Sequence, residues 1–363
     1  MGFRICVFTI HRAPGNKMPQ KSPGKTYRDA GVDLDAAAAM KVRIKELAGS
    51  TLGAGVIAGP GGFGGVIDPD PKGSHYLVSS TDSVGTKLRI AQAMGRHDTI
   101  GRDIVNHCIN DILPAGAAPL FFLDYIGLSR FDQVLIAEIV SGLSAACADA
   151  GCALLGGETA TLPGIYHGGD YDLVGFIVGT VAKERLLRPE NTRAGDLLLG
   201  LPSSGLHTNG YSLVRSIFGI DEDPSALRDT LPGDGRTLGE ALLEPHRSYL
   251  DVLKPVLHLI KGLGHNTGGG VFKNVPRALA GGLGADIDVA SWEVPPLFRH
   301  IQESGNVDPL EMYRVYNMGL GMVVVVGEDQ ADDVRSALPE SWVCGRVVER
   351  PSGERVKLLN FYG

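Results

Sequence analysis

The segment Ser79-Ser80-Thr81-Asp82-Ser83-Val84-Gly85-Thr86-Lys87 ends an apolar run in a carboxylate, a tight turn and a lysine. A carboxylate can hold Mg2+ while an ammonium neutralises phosphate oxygens, the pairing that phosphoryl transfer requires. A capped turn with a surface ion pair has the same signature, so both readings stand at this point. Asp111, in Cys108-Ile109-Asn110-Asp111-Ile112-Leu113, lies within an apolar helical pattern, and Glu158 follows a buried-looking strand in Gly156-Gly157-Glu158-Thr159. Buried acids need partners. One Mg2+ shared by Asp82, Asp111 and Glu158 meets that need; separate hydrogen bonds to backbone or arginine are the alternative.

Two helix starts look prepared for anions. Small hydroxyl residues and glycines precede an amphipathic helix in Ser203-Ser204-Gly205-Leu206-His207-Thr208-Asn209-Gly210, and Thr267-Gly268-Gly269-Gly270 precedes the helix expected to carry Arg277. Free backbone N–H groups and the positive end of a helix dipole suit phosphate; plain N-caps and chain-packing glycines are the alternative. His207 taken alone reads as a hydrogen-bonded structural histidine, and any functional role rests on the loop around it. Gly53-Ala54-Gly55-Val56-Ile57-Ala58 matches a dinucleotide fingerprint loosely but follows no strand, and a Rossmann reading is rejected. Gly24-Lys25-Thr26 resembles the end of a P-loop, yet Pro19 stands where its first glycine belongs. HExxH and GxSxG are absent.

Positioning these groups takes two units. The chain has 363 residues, enough for roughly two domains of about 150 to 200 residues. Its 50 glycines gather at 59–65, 156–157, 168–169 and 268–270, where backbone must turn sharply or approach a ligand closely. Between the clusters, strand-like runs at 75–81, 119–127, 152–156 and 173–181 accompany helical patterns at 98–115 and 131–150. The turn-rich stretch 188–195 marks a boundary. After it the pattern predicts a strand at 196–201, helices at 209–218 and 245–261, a helix after Gly270, strands at 285–289 and 321–326, and a closing helix and strand at 329–338 and 342–350. Strands and helices do not simply alternate, so the expected class is α+β, two mixed α/β domains rather than one doubly wound sheet. The expected division is a flexible tail at 1–26, an N-terminal domain at 27–183, a linker at 184–195 and a C-terminal α/β domain at 196–363.

A net charge of −7 argues against a nucleic-acid surface, which needs clustered Lys and Arg. No apolar run reaches the roughly 20 residues of a membrane span. Five scattered cysteines form no CxxC pair, which points away from a zinc ribbon or disulfide framework and towards a reducing cytosol, with Cys147 and Cys152 read as buried small hydrophobes. The first 25 residues are basic, but Pro14, Gly15, Pro19, Pro23 and Gly24 read as a disordered tail better than as a targeting segment, and Met18 is an alternative start.

Nine blocks in order along the chain then carry a family resemblance: 27–35 (YRDAGVDLD), 61–65 (GGFGG), 80–88 (STDSVGTKL), 97–111 (HDTIGRDIVNHCIND), 119–125 (PLFFLDY), 156–169 (GGETATLPGIYHGG), 203–215 (SSGLHTNGYSLVR), 267–270 (TGGG) and 311–322 (EMYRVYNMGLGM). Together they resemble the aminoimidazole ribonucleotide synthetases rather than the related thiamine-phosphate kinases, selenophosphate synthetases, hydrogenase-maturation proteins or the preceding amidotransferase of the pathway. The resemblance implies a homodimer whose N-terminal domains join strands in a shared β-barrel, ATP and Mg2+ as cofactors, and formylglycinamidine ribonucleotide as substrate. By position it points to Lys45, Gly61, Gly62, Phe63, Gly64, Asp82, Thr86, Lys87, Asp111 and Glu158 for ATP, with Asp82, Asp111 and Glu158 on the metal. It points to Ser203, Ser204, Gly205, His207, Thr208, Asn209, Thr267, Gly268, Gly269 and Gly270 for the substrate, and to His207, Lys87 and Asp111 for catalysis.

The chain departs from the family pattern at four places: Ala37-Ala38 for Gly-Asn, His107 for Met, Ala118 for Glu, and Asn266 for an apolar residue. None removes an expected ligand. The implied reaction is ATP-dependent ring closure in the cytoplasm. Two alternatives remain: a sister kinase releasing a stable phosphorylated product, and a nucleotide-binding regulatory module whose acids are structural.

Overall fold

The computed structural model describes residues 24–361. Two six-stranded sheets organise them. The first contains β1 (Val56–Ala58), β2 (Gly65–Ile67), β3 (His75–Ser83), β4 (Ala118–Leu128), β5 (Ala153–Thr161) and β6 (Tyr171–Ala182), in the order β1-β2-β3-β6-β4-β5. All its pairings are antiparallel except β4 with β5. The second contains β7 (Leu197–Pro202), β8 (Ile260–His265), β9 (Leu283–Asp288), β10 (Leu320–Val326), β11 (Trp342–Glu349) and β12 (Val356–Leu359), in the order β12-β9-β11-β7-β10-β8. Two mixed α/β domains are therefore present, as the sequence pattern implies.

Helices α1 (Leu34–Gly49), α2 (Lys87–Met94), α3 (Asp98–Ile112) and α4 (Gln133–Asp149) belong to the first half. Along α3, Ile100, Ile104, Cys108 and Ile112 recur every fourth residue and are fully buried, the stripe that seats the helix on its sheet. It crosses α4 almost backbone to backbone: a Cβ on Gly101 would stand 2.3 Å from the Ile139 carbonyl oxygen, and one on Gly142 would stand 2.3 Å from that of Asp98. In contrast, α1 buries none of its residues and leaves Met40, Ile44 and Leu47 exposed along one side.

In the second half, β10 is buried on both faces, with Met322, Val324 and Val326 in one apolar cluster and Val323 and Val325 in the other. Its uninterrupted valine run is what a strand covered on both sides requires. The first cluster packs under α5 (Tyr211–Phe218) and the helix Pro296–Gly305; the second packs under the segment Gly270–Ala278.

One element differs in kind from its sequence pattern. The helix expected at 245–261 is an irregular segment over 244–249, a four-residue helix Leu250–Leu253, and, after a turn, β8. Pro255 interrupts any helical ladder there, and side chains of α3 occupy the backbone groups of 246–249. The patterns also pass over β1, β2, β12 and the helices Pro296–Gly305 and Pro309–Val315, all short or Pro-started. The tail expected at 1–26 lies mostly outside the described residues; at its end the Lys25 amide donates to the Gly305 carbonyl at 3.1 Å.

Candidate active site

The polar face of α3 joins the two halves. Asp103, Asn106 and Asn110, spaced by three and four residues, share one side of the helix and meet the segment 244–249. Asp103 accepts from the His246 amide at 2.6 Å, Asn106 donates to the His246 carbonyl at 2.7 Å, and Asn110 donates to the Arg247 carbonyl at 2.7 Å while accepting from the Tyr249 amide at 3.0 Å. Buried polar side chains thus satisfy an irregular segment that belongs to neither sheet.

Lys87 enters this network. Its ammonium lies 2.8 Å from Asp103 and donates to the Glu244 carbonyl at 2.8 Å, and the side chains of both Lys87 and Asp103 are fully buried. Burial pushes the Asp103 carboxyl up, opposed by the adjacent ammonium, and pushes Lys87 down. The pair of charges read from the sequence as an Asp82–Lys87 turn is therefore split. Asp82 stays half-buried at the end of β3, while Lys87 turns inward.

Asp82 and Asp111 do come together. Desolvation and the neighbouring Asp111 charge push the Asp82 carboxyl up, partly opposed by His107, whose Nε2 lies 3.4 Å away. Burial would raise Asp111 as well, but the hydrogen bond and charge of His265, with further positive charge nearby, hold it below the ordinary carboxylate value. The Ser80 hydroxyl approaches the second oxygen of Asp111 at 3.5 Å.

The glycine-rich segment 61–65 lies against this pair. A Cβ on Gly64 would sit a tight 3.0 Å from the Ser79 carbonyl oxygen and 3.6 Å from that of Asp111, so glycine eases this approach. Arg277, on the 3-10 turn Val275–Ala278 rather than the helix before it, reaches across from the second half. Its guanidinium stacks 3.9 Å from the centroid of the Phe63 ring and donates to the Gly62 carbonyl. A cavity of about 270 Å³ lined by Phe63, Gly64 and Arg277 opens on one side of the segment, and a groove of about 490 Å³ lined by residues 59–67 and 79–81 opens on the other.

Two nucleotide candidates lie elsewhere in the single chain. Glu158 is exposed on β5, the sheet edge, whereas Asp82 is on β3. Register runs from Asp82 through Gly175 and Asp124 to Gly157, three strand spacings or roughly 14 Å. One chain therefore does not assemble Asp82, Asp111 and Glu158 around one ion. Lys45 is exposed on α1 with no partner among the described residues. Thr86 bonds Ser212 across the domain boundary at 3.1 Å.

The two glycine-containing loops of the second half meet. A Cβ on Gly268 would lie 2.8 Å from the Asn209 side-chain oxygen, and the buried Asn209 side-chain nitrogen has no partner. Both serine hydroxyls are already engaged, Ser203 with Asn317 at 3.0 Å and Ser204 with the Pro245 carbonyl at 2.6 Å. Thr208 bonds the His107 ring at 2.9 Å, and Thr267 approaches Asn274 at 3.4 Å. The helix after Thr267-Gly268-Gly269 is only Gly270–Asn274. Past Gly269 runs a polar groove of about 660 Å³ lined by Lys273, Arg314 and Glu311 among others.

His207 adopts a left-handed backbone, φ 60°, uncommon for a residue with a side chain. Its Nε2 accepts from the Ser204 amide at 3.3 Å, and its ring stacks on His246 with centroids 4.0 Å apart. His246 and His265 bring their Nε2 atoms to 3.1 Å, and His265 Nδ1 reaches Asp111 at 2.7 Å. Burial, followed by the positive charges around them, drives His207 and His246 well below the ordinary histidine value; burial lowers His265 too, against the pull of Asp111. Sequence reasoning noted His107 only as a departure and passed over Asp103, His246 and His265. No local motif marks them, since their meeting depends on the path of segment 244–249 and on β8 ending at His265.

Comparison with known proteins bears on the whole chain. The family model described as "AIR synthase related protein, N-terminal domain" matches residues 61–181, and "AIR synthase related protein, C-terminal domain" matches residues 193–357. A "Phosphoribosylformylglycinamidine cyclo-ligase" of Thermoanaerobacter sp. is 44% identical over 332 residues, 90% of this chain and 98% of that protein. One of Caldicellulosiruptor bescii is 45% identical over 342 residues, 92% of this chain and 99% of that protein. Among solved structures, "Hydrogenase Maturation Protein HypE in complex with ATP" shares the fold with a TM-score of 0.57 at 18% identity, covering 80% of this chain and 83% of that chain.

Proposed function

The chain belongs to the AIR synthase related family, and we propose that it closes the imidazole ring of 5-aminoimidazole ribonucleotide in de novo purine biosynthesis. Formylglycinamidine ribonucleotide and ATP give that product, ADP and phosphate. The observation that carries this reading is the 44–45% identity to cyclo-ligases over nearly the full length of both chains.

The formyl oxygen is a poor leaving group. Transfer of the γ-phosphoryl to it creates a phosphate ester that the amidine nitrogen displaces as the ring closes. The segment 61–65 receives the nucleotide, and Arg277 holds that segment in place through Phe63 and Gly62. Asp82 and Asp111 fit Mg2+: two neighbouring carboxylates repel when both are ionised, and Asp82 is raised by desolvation first and by the Asp111 charge besides, both of which a bound cation would offset. Bound Mg2+ supplies neutralisation of charge on the transferring phosphoryl.

Within one chain, Asp111 takes the acidic role and Lys87 a positioning role, since its ammonium is sealed against Asp103 and Glu244. The ribose 5-phosphate lies where the loops at 203–209 and 267–270 meet, with the unpaired Asn209 amide and the Lys273 and Arg314 side chains beside Gly269 as its donors. Orientation by these loops brings the internal nucleophile to the activated carbon. His207, buried and stacked on His246, shapes the first loop.

A second copy is part of the same reading. Strand β5 is a sheet edge, and Leu155 and Phe176 are exposed at 64% and 38% on this sheet. Pairing at that edge covers Leu155 and joins the sheets of the two copies in the shared barrel, to which Phe176 belongs through strand β6. The domain division at 184–195 and a cytosolic setting complete the proposal; the four described cysteines are free and buried.

Product analysis tests the reaction. Purified protein with formylglycinamidine ribonucleotide and Mg-ATP is expected to yield aminoimidazole, ADP and phosphate in equal amounts. A stable phosphorylated product without free phosphate assigns it to the kinases instead, and ATP binding without turnover assigns it to regulatory modules.

A further inference from the structure

Asp103, His107 and Asp111 stand four residues apart on one side of α3, all of them buried. Asp103 holds Lys87, and Asp111 holds His265. Between them, His107 has partners in both domains. Its Nε2 lies 3.4 Å from Oδ2 of Asp82 on β3, and its Nδ1 lies 2.9 Å from the hydroxyl of Thr208 in the loop 203–210.

The two contacts agree on one form of the ring. An ionised carboxylate only accepts, so the neutral imidazole carries its hydrogen on Nε2, and Nδ1 accepts from the Thr208 hydroxyl. The centroids of the His246 and His265 rings lie 5.1 and 5.5 Å from that of His107, which is therefore held by packing as well as by its nitrogens. Thr208 precedes Asn209, whose buried side-chain nitrogen has no partner where the two glycine-containing loops meet. Methionine, which the family pattern has at position 107, is a flexible gap-filler with no N–H for Asp82 and only a weak acceptor for Thr208. Packing alone therefore does not account for a histidine with one nitrogen on each of these groups.

We propose, on the cyclo-ligase reading of the two sites, that His107 is a positioning residue. It fixes the Asp82 carboxylate of the nucleotide site and the Thr208–Asn209 end of the ribonucleotide site relative to each other across the domain boundary. His107 touches neither substrate in this account; it acts through Asp82 on one side and through Thr208 on the other.

Isothermal titration calorimetry of the full-length protein with Mg-ATP and, separately, with formylglycinamidine ribonucleotide reads the two arms. Glutamine places its amide near the Nε2 position of a histidine, and asparagine near the Nδ1 position. His107→Gln is expected to bind Mg-ATP within about twofold of wild type and the ribonucleotide roughly five- to tenfold more weakly, the scale of one lost hydrogen bond, and His107→Asn to do the reverse. His107→Met is expected to weaken both. Because a variant at 107 can fail to fold, Thr208→Val removes the same contact from the loop, and it is expected to weaken the ribonucleotide alone. Equal weakening of both ligands in His107→Gln and His107→Asn, unchanged binding in both, or unchanged ribonucleotide binding in Thr208→Val overturns the proposal. Wild-type turnover is followed alongside. No aminoimidazole with the split intact overturns the cyclo-ligase reading and leaves the role of His107 standing, whereas turnover without the split overturns the role of His107 alone.

Discussion

His265, the last residue of β8, holds the carboxylate of Asp111 at 2.7 Å across the boundary between the two domains. The acid proposed for the nucleotide therefore has its position and ionisation set by the other domain. His265 and the charges around it keep Asp111 below the ordinary carboxylate value despite burial, while desolvation and Asp111 itself push Asp82 the other way. The interface thus favours negative charge on Asp111 over Asp82.

Arg277→Ala removes the clamp on Phe63 and Gly62. A desolvated cation–π contact contributes about 2 kcal/mol, so KM for ATP is expected to rise on the order of tenfold with a smaller change in kcat. Arg277→Lys should restore little of this, because a lysine cannot stack a planar fork on the ring. Steady-state kinetics with varied ATP measure it. An unchanged KM in Arg277→Ala contradicts the clamp.

Acid should weaken the fold through the buried histidines. An unfolded histidine protonates near pH 6.5, whereas His207, His246 and His265 have depressed values in the fold. Below about pH 6.5 the unfolded chain thus binds more protons. Stability is complete above that pH and is lost as the pH falls towards the depressed values, at up to about 1.4 kcal/mol per pH unit for each histidine. Urea midpoints between pH 7.5 and 5.5 are expected to fall, and a flat profile counts against neutral burial.

Lys87→Met strands the buried Asp103 carboxylate and is expected to cost about 3–5 kcal/mol. The double variant Lys87→Met/Asp103→Leu should recover much of that loss, since no unpaired charge remains. Denaturant unfolding of both proteins provides the comparison. Equal destabilisation by the single and double changes contradicts an ion pair whose cost lies in separation.

Asn209→Ala should raise KM for the ribonucleotide more than KM for ATP, because its side-chain oxygen faces Gly268 and its nitrogen is unpaired where the proposed phosphate loops meet. Losing a hydrogen bond to a charged group costs about 1.5–3 kcal/mol. Equal effects on the two substrates would place Asn209 in a structural role.

Much of this was legible in the sequence because local rules carried it. Asp82 stands next to the end of an apolar-led strand, Asp111 lies in a helix with an apolar stripe, and the valines of β10 announce a strand buried on both faces. Partners set by chain path were not legible. Lys87 follows the turn after Asp82, yet the Asp103 carboxylate draws it inward. Glu158 looks equivalent to the other acids until sheet order places two strands between it and Asp82. The histidines converge because Pro255 breaks the expected helix and α3 side chains hold the backbone of 246–249 outside it.

The most direct measurement follows aminoimidazole formation and phosphate release together, in wild type and in Asp111→Asn, with Mg-ATP and formylglycinamidine ribonucleotide. Wild type should form the two products one for one, and the variant should lose about a hundredfold or more of both rates, the scale of removing one preorganised electrostatic contact in phosphoryl transfer. Phosphate without aminoimidazole in wild type, or unimpaired turnover in Asp111→Asn, would contradict the cyclo-ligase site described for this chain.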